Sequence, residues 1–283
     1  MATTPRTPRV LSIAGSDSGG GAGIQADLKA FARCGVHGMT AITAVTWQNT
    51  VAVTGVTPIP PEAIVGQVRA VAEDIGVDAV KIGMLGSVET IAAVREALGI
   101  LSGAPVVLDP VMVAESGAAL LEPDARQELV ALLPAATVIT PNLLEARALL
   151  ESAGLAPGTG ESPAGLAEAL GSLGAAHVVV TGGHTQGDEA VDIYRDVRHV
   201  VEIPGPRYQG GATHGSGCTH SSALAAHLAL GLEPLEAAVA ARQVAAEAVR
   251  DALADVGAGA GPVDALGITA RRAAGQAAKT PLA

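Results

Sequence analysis

The sequence predicts an α/β protein whose central, mostly parallel sheet is covered by helices on both faces. The main observation is a regular alternation of short apolar segments with helix-length segments along the 283 residues. The second is composition: 49% of residues are hydrophobic and only 1% aromatic. A core of Ala, Val, Leu and Ile suits helices packed closely on a sheet.

The first part of the chain contains three predicted strands and two predicted helices. In order, these are strand 9–14, helix 24–34, strand 39–45, strand 50–57 and helix 60–75, with a Gly-rich loop at 15–23. Segment 50–57 is rich in Val and Thr and alternates, which favours an edge strand. Pro60 and Pro61 suit the start of a helix, because proline is tolerated in a first turn.

The rest of the chain continues the alternation. The predicted strands are 79–82, 105–108, 137–140 and 177–181, and the predicted helices are 88–101, 123–133, 143–152 and 163–174. Segments 191–194 and 199–203 predict a hairpin added to the sheet, and Ala-rich helices 219–230 and 234–253 follow. We expect one domain over 1–283, with small edge or lid strands and an ordered core of about 9–270. The tail is expected to fray beyond residue 270.

Charge and composition exclude several classes of protein. The formal net charge is −11, and no Lys/Arg cluster or set of aromatic side chains is available to bind nucleic acid. A phosphate ligand must therefore be held by backbone dipoles at Gly-rich helix starts. The chain shows no signal peptide, no bilayer-length apolar run and two cysteines too few for a disulfide framework. These features favour a cytoplasmic protein with a small-molecule ligand and no membrane partner.

The segment 210–218, GGATHGSGC, precedes a predicted helix. A Gly-rich turn at a helix start directs several amides toward one point, and the helix dipole adds partial positive charge there. Such a site could stabilise a transferring phosphoryl group. The alternative is an ordinary Gly-rich loop with a small buried cysteine.

The two cysteines are expected to differ. Cys218 lies at a helix N-terminus, where the dipole should lower the pKa of a thiol. It could serve as a base toward an attacking hydroxyl or contribute to the anion hole, and the sequence leaves both roles open. Cys34 lies at a helix end beside Gly35 and is expected to be structural and inert.

The loop 15–23, GSDSGGGAG, also joins a strand to a helix. It is neither a P-loop, because no Lys follows, nor a dinucleotide fingerprint, because residue 24 is Ile. Its glycines would let the backbone approach a flat ligand. Asp27 could then bind a ligand hydroxyl or ring amine, or be an ordinary first-turn acid.

Polar residues follow three predicted strands. Asp109, Asn142 and Glu145 come where the carboxyl ends of parallel strands converge on a ligand crevice, and they could hold Mg²⁺ largely through its waters. Alternatively, Asn142 caps a helix and Glu145 completes a capping box; both roles can coexist. Gln48 could pair with a heteroaromatic ring edge or be a polar loop residue. His214 could contact phosphate, but a role in holding its loop is favoured.

Taken together, the segments resemble one family, the bacterial hydroxymethylpyrimidine/phosphomethylpyrimidine kinases of thiamine biosynthesis in the ribokinase-like superfamily. The resemblance extends from about residue 10 to 266. The matching segments are IAGSDSGGGAGIQADLKAF (13–31), ITAVTWQNT (42–50), VKIGMLGS (80–87), VVLDPVMVAESG (106–117), VITPNLLEA (138–146), GGH (182–184), THGSGC (213–218) and GAGPVD (259–264).

The resemblance implies a ribokinase-like three-layer α/β/α sandwich, usually a homodimer, that uses ATP and Mg²⁺. It implies phosphorylation of 4-amino-5-hydroxymethyl-2-methylpyrimidine and then of its monophosphate. The pyrimidine would lie against Gly15, Asp27, Gln48, Met84 and Val111. The anion hole and catalytic thiol would be Gly215, Gly217 and Cys218. Asn142, Glu145, Thr181 and Ser216 would lie near the nucleotide, and Asp109 and Glu145 near the metal. Sugar kinases of the superfamily carry Asp in place of Cys218, which favours the pyrimidine branch.

The sequence departs from the family at three positions. Thr181 stands where a phosphate-binding Lys is common, so a cation must come from elsewhere; Lys81 is one candidate. Leu144 replaces a common Pro, and Ala212 a common Asn. Two other functions stay open: a pyridoxal-type vitamin B6 kinase, and a pyrimidine-binding protein without catalysis.

Overall fold

The computed structural model describes residues 6–101, 103–155, 161–182, 189–208 and 212–277. The strands are β1 (Arg9–Asp17), β2 (His37–Gln48), β3 (Val53–Pro58), β4 (Ala79–Ile82), β5 (Val106–Leu108), β6 (Val138–Ile139), β7 (His177–Val180), β8 (Glu189–Arg195) and β9 (Val200–Pro206). The helices are α1 (Gly23–Arg33), α2 (Pro61–Asp74), α3 (Val88–Ile100), α4 (Ala125–Leu132), α5 (Leu143–Ser152), α6 (Pro163–Ser172), α7 (Ser216–Ala229), α8 (Pro234–Arg250) and α9 (Ile268–Ala277), with a 3-10 turn at Leu133–Ala135.

The described strands form one sheet in the order β3-β2-β1-β4-β5-β6-β7-β8-β9. The pairs from β2 through β1 to β7 are parallel. The pairs β2–β3, β7–β8 and β8–β9 are antiparallel. The predicted mostly parallel sheet is confirmed, as are the edge position of β3 and the β8–β9 hairpin. Because β1 and β4 to β7 run in the same direction, their carboxyl ends share one edge of the sheet.

Alternation along each strand separates two apolar layers. In β4, Val80 and Ile82 join the layer that includes helices α2 to α6. Ala79 belongs to the opposite layer, with residues of α1, α7 and α8. Lys81 is fully buried and, by the period of two, lies on the same side as Ala79. A charged side chain is thereby directed between the sheet and α7.

Most element boundaries differ from the sequence-based expectation by a few residues, and three of the differences bear on the site or the C-terminal region. β1 continues to Asp17 and includes the first residues of the Gly-rich loop. α7 begins at Ser216, three residues earlier than predicted, because Gly215 has a left-handed φ of 83° and turns the chain into the helix. The expected fraying beyond residue 270 stays a prediction; α9 extends to Ala277, and the Asp264 carboxylate accepts from the amides of Ile268 and Thr269.

The prediction of a single domain over 1–283 stays a prediction. Within the described ranges, no helix has both the length and the apolar character needed to cross a bilayer.

Candidate active site

A cavity of about 740 Å³ opens at the shared carboxyl edge of the sheet. Of the site residues predicted from the sequence, those that line it are Gly15, Gln48, Met84, Asp109, Val111, Asn142, Glu145, Thr181, Gly215, Ser216, Gly217 and Cys218. These residues come from distant parts of the chain, yet one cavity brings them together. Asp27 is the exception, and its place is described below.

The first Gly-rich turn, loop 1 (residues 15–23), is ordered by its own acid. The carboxylate of Asp17 accepts from the amides of Gly19, Gly21 and Ala22 at 2.8–3.0 Å, and the Asp17 carbonyl accepts from Gly20. The His214 ring adds a further hydrogen bond. Burial raises the pKa of Asp17, but the bonds from His214 and the amides outweigh it and hold that pKa below its usual value. Loop 1 therefore uses its own amides to hold its shape.

The second Gly-rich turn, loop 2 (residues 213–218), is different. Its Gly215 caps α7, and a side chain at this position would collide with the carbonyl oxygen of Gly21. Within the described residues, the amides of Gly217 and Cys218 have no hydrogen-bond acceptor. These amides open the 14-residue helix α7, and both residues line the cavity. The geometry is that of an anion site at a helix N-terminus.

The Cys218 thiol departs from the sequence-based expectation. Burial raises its pKa to about 12, although the nearby Lys81 ammonium and a hydrogen bond from the Gly23 amide act in the opposite direction. The predicted lowering by the helix dipole is therefore wrong, because removal from water has the larger effect here. Cys218 is a neutral thiol in the unliganded protein at neutral pH. Cys34 fits its expected inert character, since burial raises its pKa to about 11.

Asp27 does not line the cavity, so the predicted direct contact with substrate is wrong. It is fully buried, and it accepts from the hydroxyls of Ser12 and Ser222 at 2.6 and 2.7 Å. Lys81 Nζ lies 3.0 Å from its Oδ1. The spacing along α1 explains this placement: Asp27 follows the buried Ile24 by three residues and therefore shares its inward face.

Lys81 connects this buried acid to the cavity wall. Its Nζ lies 3.9 Å from Asp109 Oδ2, which also accepts from the Ser221 hydroxyl at 2.9 Å. Burial lowers the pKa of Lys81, but the charges of acidic neighbours, Asp27 first and then Asp109, outweigh it and raise the pKa. Lys81 is thus a fixed positive charge at the base of the site. A lysine within the apolar segment 79–82 was the sequence signal for this role.

Asn142 and Glu145 form the capping box that was one of their two predicted roles. They also line the cavity, so this does not exclude the other role. Burial, with the charge of Asp109, raises the pKa of Glu145 to about 8. Burial also raises the pKa of Asp109. Two buried carboxyl groups that are costly to ionise in one cavity are suited to binding a cation. Within the described residues, no three His, Cys, Asp or Glu side chains group as a metal site.

The cavity has two ends. Gly15, Met84 and Gln48 belong to the end beside loop 1, because Met84 lies against Gly15 and the Gln48 carbonyl accepts from the Ser18 hydroxyl. The Gln48 side-chain oxygen accepts from Thr46 at 3.1 Å, and Val111 also lines the cavity. Thr181 lies at the other end with three residues that the sequence reading missed: Asp192, His220 and Arg242. Asp192 accepts from the Gly182 amide and lies 3.4 Å from His220 Nε2 and 3.6 Å from Arg242 Nε.

No sequence pattern marks Asp192, His220 and Arg242, since they come from β8, α7 and α8. Two of the sequence motifs lie partly outside the described residues. Gly183 and His184 of GGH, and Gly210 and Gly211 of the second Gly-rich turn, lie outside the described residues.

A parallel sheet with free helix-start amides, a thiol and paired carboxyls at its carboxyl edge defines a ribokinase-like kinase of small molecules. The chain belongs to the phosphomethylpyrimidine kinase family, whose sequence model matches residues 17–264. It is 49% identical over 260 residues to a hydroxymethylpyrimidine/phosphomethylpyrimidine kinase of Rhizobium meliloti, covering 91% of this chain and 96% of the relative. The family resemblance found in the sequence is therefore confirmed.

Solved structures show the same fold. The pyridoxal kinase from Staphylococcus aureus in complex with ADP has a TM-score of 0.83 and 35% identity, over 93% of this chain and 94% of that one. The phosphomethylpyrimidine kinase from Clostridium difficile 630 has a TM-score of 0.71 and 40% identity, over 86% and 97%.

Proposed function

We propose that this chain transfers the γ-phosphoryl group of ATP to 4-amino-5-hydroxymethyl-2-methylpyrimidine, and then a second one to the monophosphate, in thiamine biosynthesis. The observation that carries the proposal is the pair of amides at Gly217 and Cys218, which have no acceptor among the described residues and line a cavity beside a thiol. Relatives named for both activities cover nearly the whole chain.

In the proposed reaction, the pyrimidine lies at the loop 1 end of the cavity, against Gly15, Gln48, Met84 and Val111. Its hydroxymethyl oxygen forms a bond to the γ-phosphorus as the bond to the β,γ-bridging oxygen breaks, and ADP leaves. The amides of loop 2 stabilise the charge on the transferred group. Catalysis depends mainly on placing the two reactants in line.

Cys218 takes the hydroxyl proton in its thiolate form. Because its pKa is about 12 in the unliganded protein, the thiolate is a minor species at neutral pH. The Lys81 ammonium stabilises it and supplies positive charge in a site that lacks a lysine at Thr181. Turnover limited by this thiolate should rise about tenfold per pH unit between pH 7 and 9.

Asp109 and Glu145 would hold Mg²⁺ at the nucleotide phosphates, with Asn142, Thr181 and Ser216 nearby. When bound, the metal would neutralise charge on the phosphoryl oxygens. The two carboxyl groups fit this role because burial makes each of them costly to ionise, and for Glu145 the charge of Asp109 adds to that cost.

We further propose that the protein is a cytoplasmic homodimer. The edge formed by β2 and β3 exposes apolar side chains, including Trp47 at 61% and Val56 at 43% exposure. Exposed apolar groups on an edge strand favour pairing with another chain. A molar mass of twice 27.9 kDa by light scattering supports the dimer, and 27.9 kDa contradicts it.

Pyridoxal phosphorylation is a second candidate function, because the Staphylococcus aureus structure similar to this chain is a pyridoxal kinase. An ADP-release assay should offer the hydroxymethylpyrimidine, its monophosphate and pyridoxal in parallel. Turnover of both pyrimidines at higher kcat/KM than pyridoxal supports the proposal. A preference for pyridoxal overturns it, and pyrimidine binding without turnover supports a non-catalytic binding protein.

Replacement of Cys218 by Ala tests the mechanism. We expect kcat to fall about 10²–10⁴-fold, as for loss of a general base, and the pH dependence of the residual rate to flatten. Cys34→Ala, which removes the thiol outside the cavity, is the matched control and should keep wild-type turnover. A Cys218→Ala enzyme with near wild-type kcat and an intact fold would show that Cys218 is not the base.

A further inference from the structure

One buried acid is shared by the two Gly-rich loops of the cavity. Asp17 Oδ2 accepts from the amides of Gly21 and Ala22 in loop 1. The same oxygen lies 3.1 Å from Nε2 of His214 in loop 2. A carboxylate can only accept, so His214 Nε2 donates the proton. The group that orders loop 1 therefore also orients the residue directly before Gly215.

The loops are also in van der Waals contact around this pair. A side chain at Gly21 would overlap the His214 ring, and one at Gly215 would meet the Gly21 carbonyl. The Gly23 amide is close enough to the Cys218 sulfur to lower the pKa of that thiol. Close-packed groups transmit small displacements rather than absorbing them. A shift of loop 1 must therefore alter the position of loop 2.

His214 is held from a third direction by the chain near the C-terminal end of the described region. Its carbonyl accepts from the Val263 amide at 3.1 Å, and it forms a bridge with Pro262. The ring is 6% exposed, and its Nε2 is engaged by Asp17. His214 is accordingly a positioning residue rather than a group that reacts with substrate.

We propose that the Asp17–His214 pair couples the two halves of the cavity, so that a pyrimidine bound at loop 1 strengthens nucleotide binding at loop 2. The proposal rests on the proposed function. A ligand packed against loop 1 limits the motion of the Asp17–His214 pair, and thereby of the Gly217 and Cys218 amides, before the phosphates arrive. A second ligand that meets an already ordered site loses less entropy, which gives positive cooperativity. The effect must be reciprocal for the two ligands.

The test is a binding cycle. The Kd of a non-hydrolysable ATP analogue with Mg²⁺ is measured by calorimetry with and without saturating hydroxymethylpyrimidine. In the wild-type protein we expect the pyrimidine to lower this Kd about tenfold, within the usual range of about 5–150-fold for coupled sites. In His214→Leu the ratio of the Kd without pyrimidine to the Kd with pyrimidine should fall to about one, whatever the Kd of each ligand alone.

Two further variants make the test specific. His214→Gln keeps a donor near the position of Nε2 and should restore part of the ratio. His177→Phe removes another histidine hydrogen bond, to the Tyr194 hydroxyl at 2.7 Å, outside the cavity lining, and should leave the ratio unchanged. If His214→Leu does not fold, Asp17→Asn and His214→Gln are compared instead, and Asp17→Asn should lower the ratio more.

The outcomes separate this proposal from the proposed function. Both ligands binding to the wild-type protein with a ratio of one would overturn the coupling and leave the kinase function intact. A ratio that persists in His214→Leu, or in Asp17→Asn where His214→Leu does not fold, would also overturn it. Failure of the wild-type protein to bind the pyrimidine at all would overturn the proposed function and the coupling with it.

Discussion

The two Gly-rich loops are both rich in glycine and both precede a helix, but they differ in whether their backbone amides are already hydrogen-bonded. In loop 1, the amides of Gly19, Gly21 and Ala22 are bound by Asp17. In loop 2, the amides of Gly217 and Cys218 have no acceptor within the described residues. Glycine content alone therefore does not make an anion site. The deciding feature is whether the loop carries an acid that uses its own amides.

This difference is the basis for assigning a different ligand to each loop of the cavity. A loop whose amides are already hydrogen-bonded offers no free donor to an anion and is suited to a flat neutral ring. A loop whose amides are free at a helix start is suited to phosphate. Loop 1 is therefore assigned to the pyrimidine and loop 2 to the phosphoryl group.

Among the variants that compare the two loops, the largest effect is expected for Gly215→Ala. The new methyl group would require an unfavourable φ and would meet the Gly21 carbonyl, which displaces the loop 2 amides. We expect kcat to fall about 10²–10³-fold, as for loss of an anion-hole donor. Gly231→Ala is the matched control, because Gly231 ends the same helix with a φ of 90° but has open space around it. Equal losses in both variants would show that backbone strain, not the anion site, is responsible.

The next effect concerns the acid of loop 1. Asp17→Ala removes the acceptor of three amides, and we expect a loss of about 1.5–3 kcal/mol in the free energy of unfolding measured with urea. The folded-state pKa of Asp17 is lowered, so this stability is present above about pH 4 and is lost as the pH falls through the folded-state pKa.

Asp124→Ala is the control for Asp17→Ala. Asp124 also stands at a helix start, but its side chain makes no capping hydrogen bond. The free energy of unfolding of the Asp124→Ala protein should stay within about 0.5 kcal/mol of wild type. An equal loss in the two variants would contradict the claim that loop 1 is held by its acid.

A smaller effect tests the cation expected beside loop 2. Glu145 has a pKa of about 8, so below pH 8 a metal must displace its proton. The apparent Kd for Mg²⁺ should fall up to about tenfold per unit as the pH rises toward 8, and then level off. In Glu145→Gln this slope should disappear, while Glu151→Gln, on the exposed face of α5, should retain it. Mg²⁺ titrations of activity at pH 6.5, 7.5 and 8.5 measure the slope.

The smallest expected effect is in the pH dependence of alkylation, compared between the thiols of the two helices that follow the loops. Cys34 ends α1 and Cys218 begins α7, with pKa values of about 11 and 12. Alkylation of each thiol, followed in Cys218→Ser and Cys34→Ser proteins, should rise about tenfold per unit between pH 8 and 10. A plateau for Cys218 near pH 7 would show that the helix dipole outweighs burial after all.

Much of the fold was predictable because the alternation of strands and helices is local information. The β4 strand and the α5 helix have their predicted bounds, since apolar period and helix capping are encoded within a few residues. Two helix starts were not predicted correctly because each depends on one residue. The left-handed φ of Gly215 starts α7, and the Asp264 carboxylate accepts from the first amides of α9.

The site was predictable in its members but less so in their roles. The sequence named Cys218 as a candidate base and Asp27 as a ligand-contacting acid from their positions at helix starts. The structure buries Asp27 beneath the cavity and raises the pKa of Cys218 to about 12. Desolvation depends on what surrounds a group on all sides, and a pattern along one segment cannot show that.

The sequence by itself determined the sheet-and-helix alternation, the family, and the two Gly-rich turns. Only the tertiary structure decided that Asp17 engages the amides of the first turn and reaches His214 in the second, nearly two hundred residues away. It also decided that Lys81 lies between two acids. These outcomes depend on contacts between distant segments, which folding alone brings within hydrogen-bond distance.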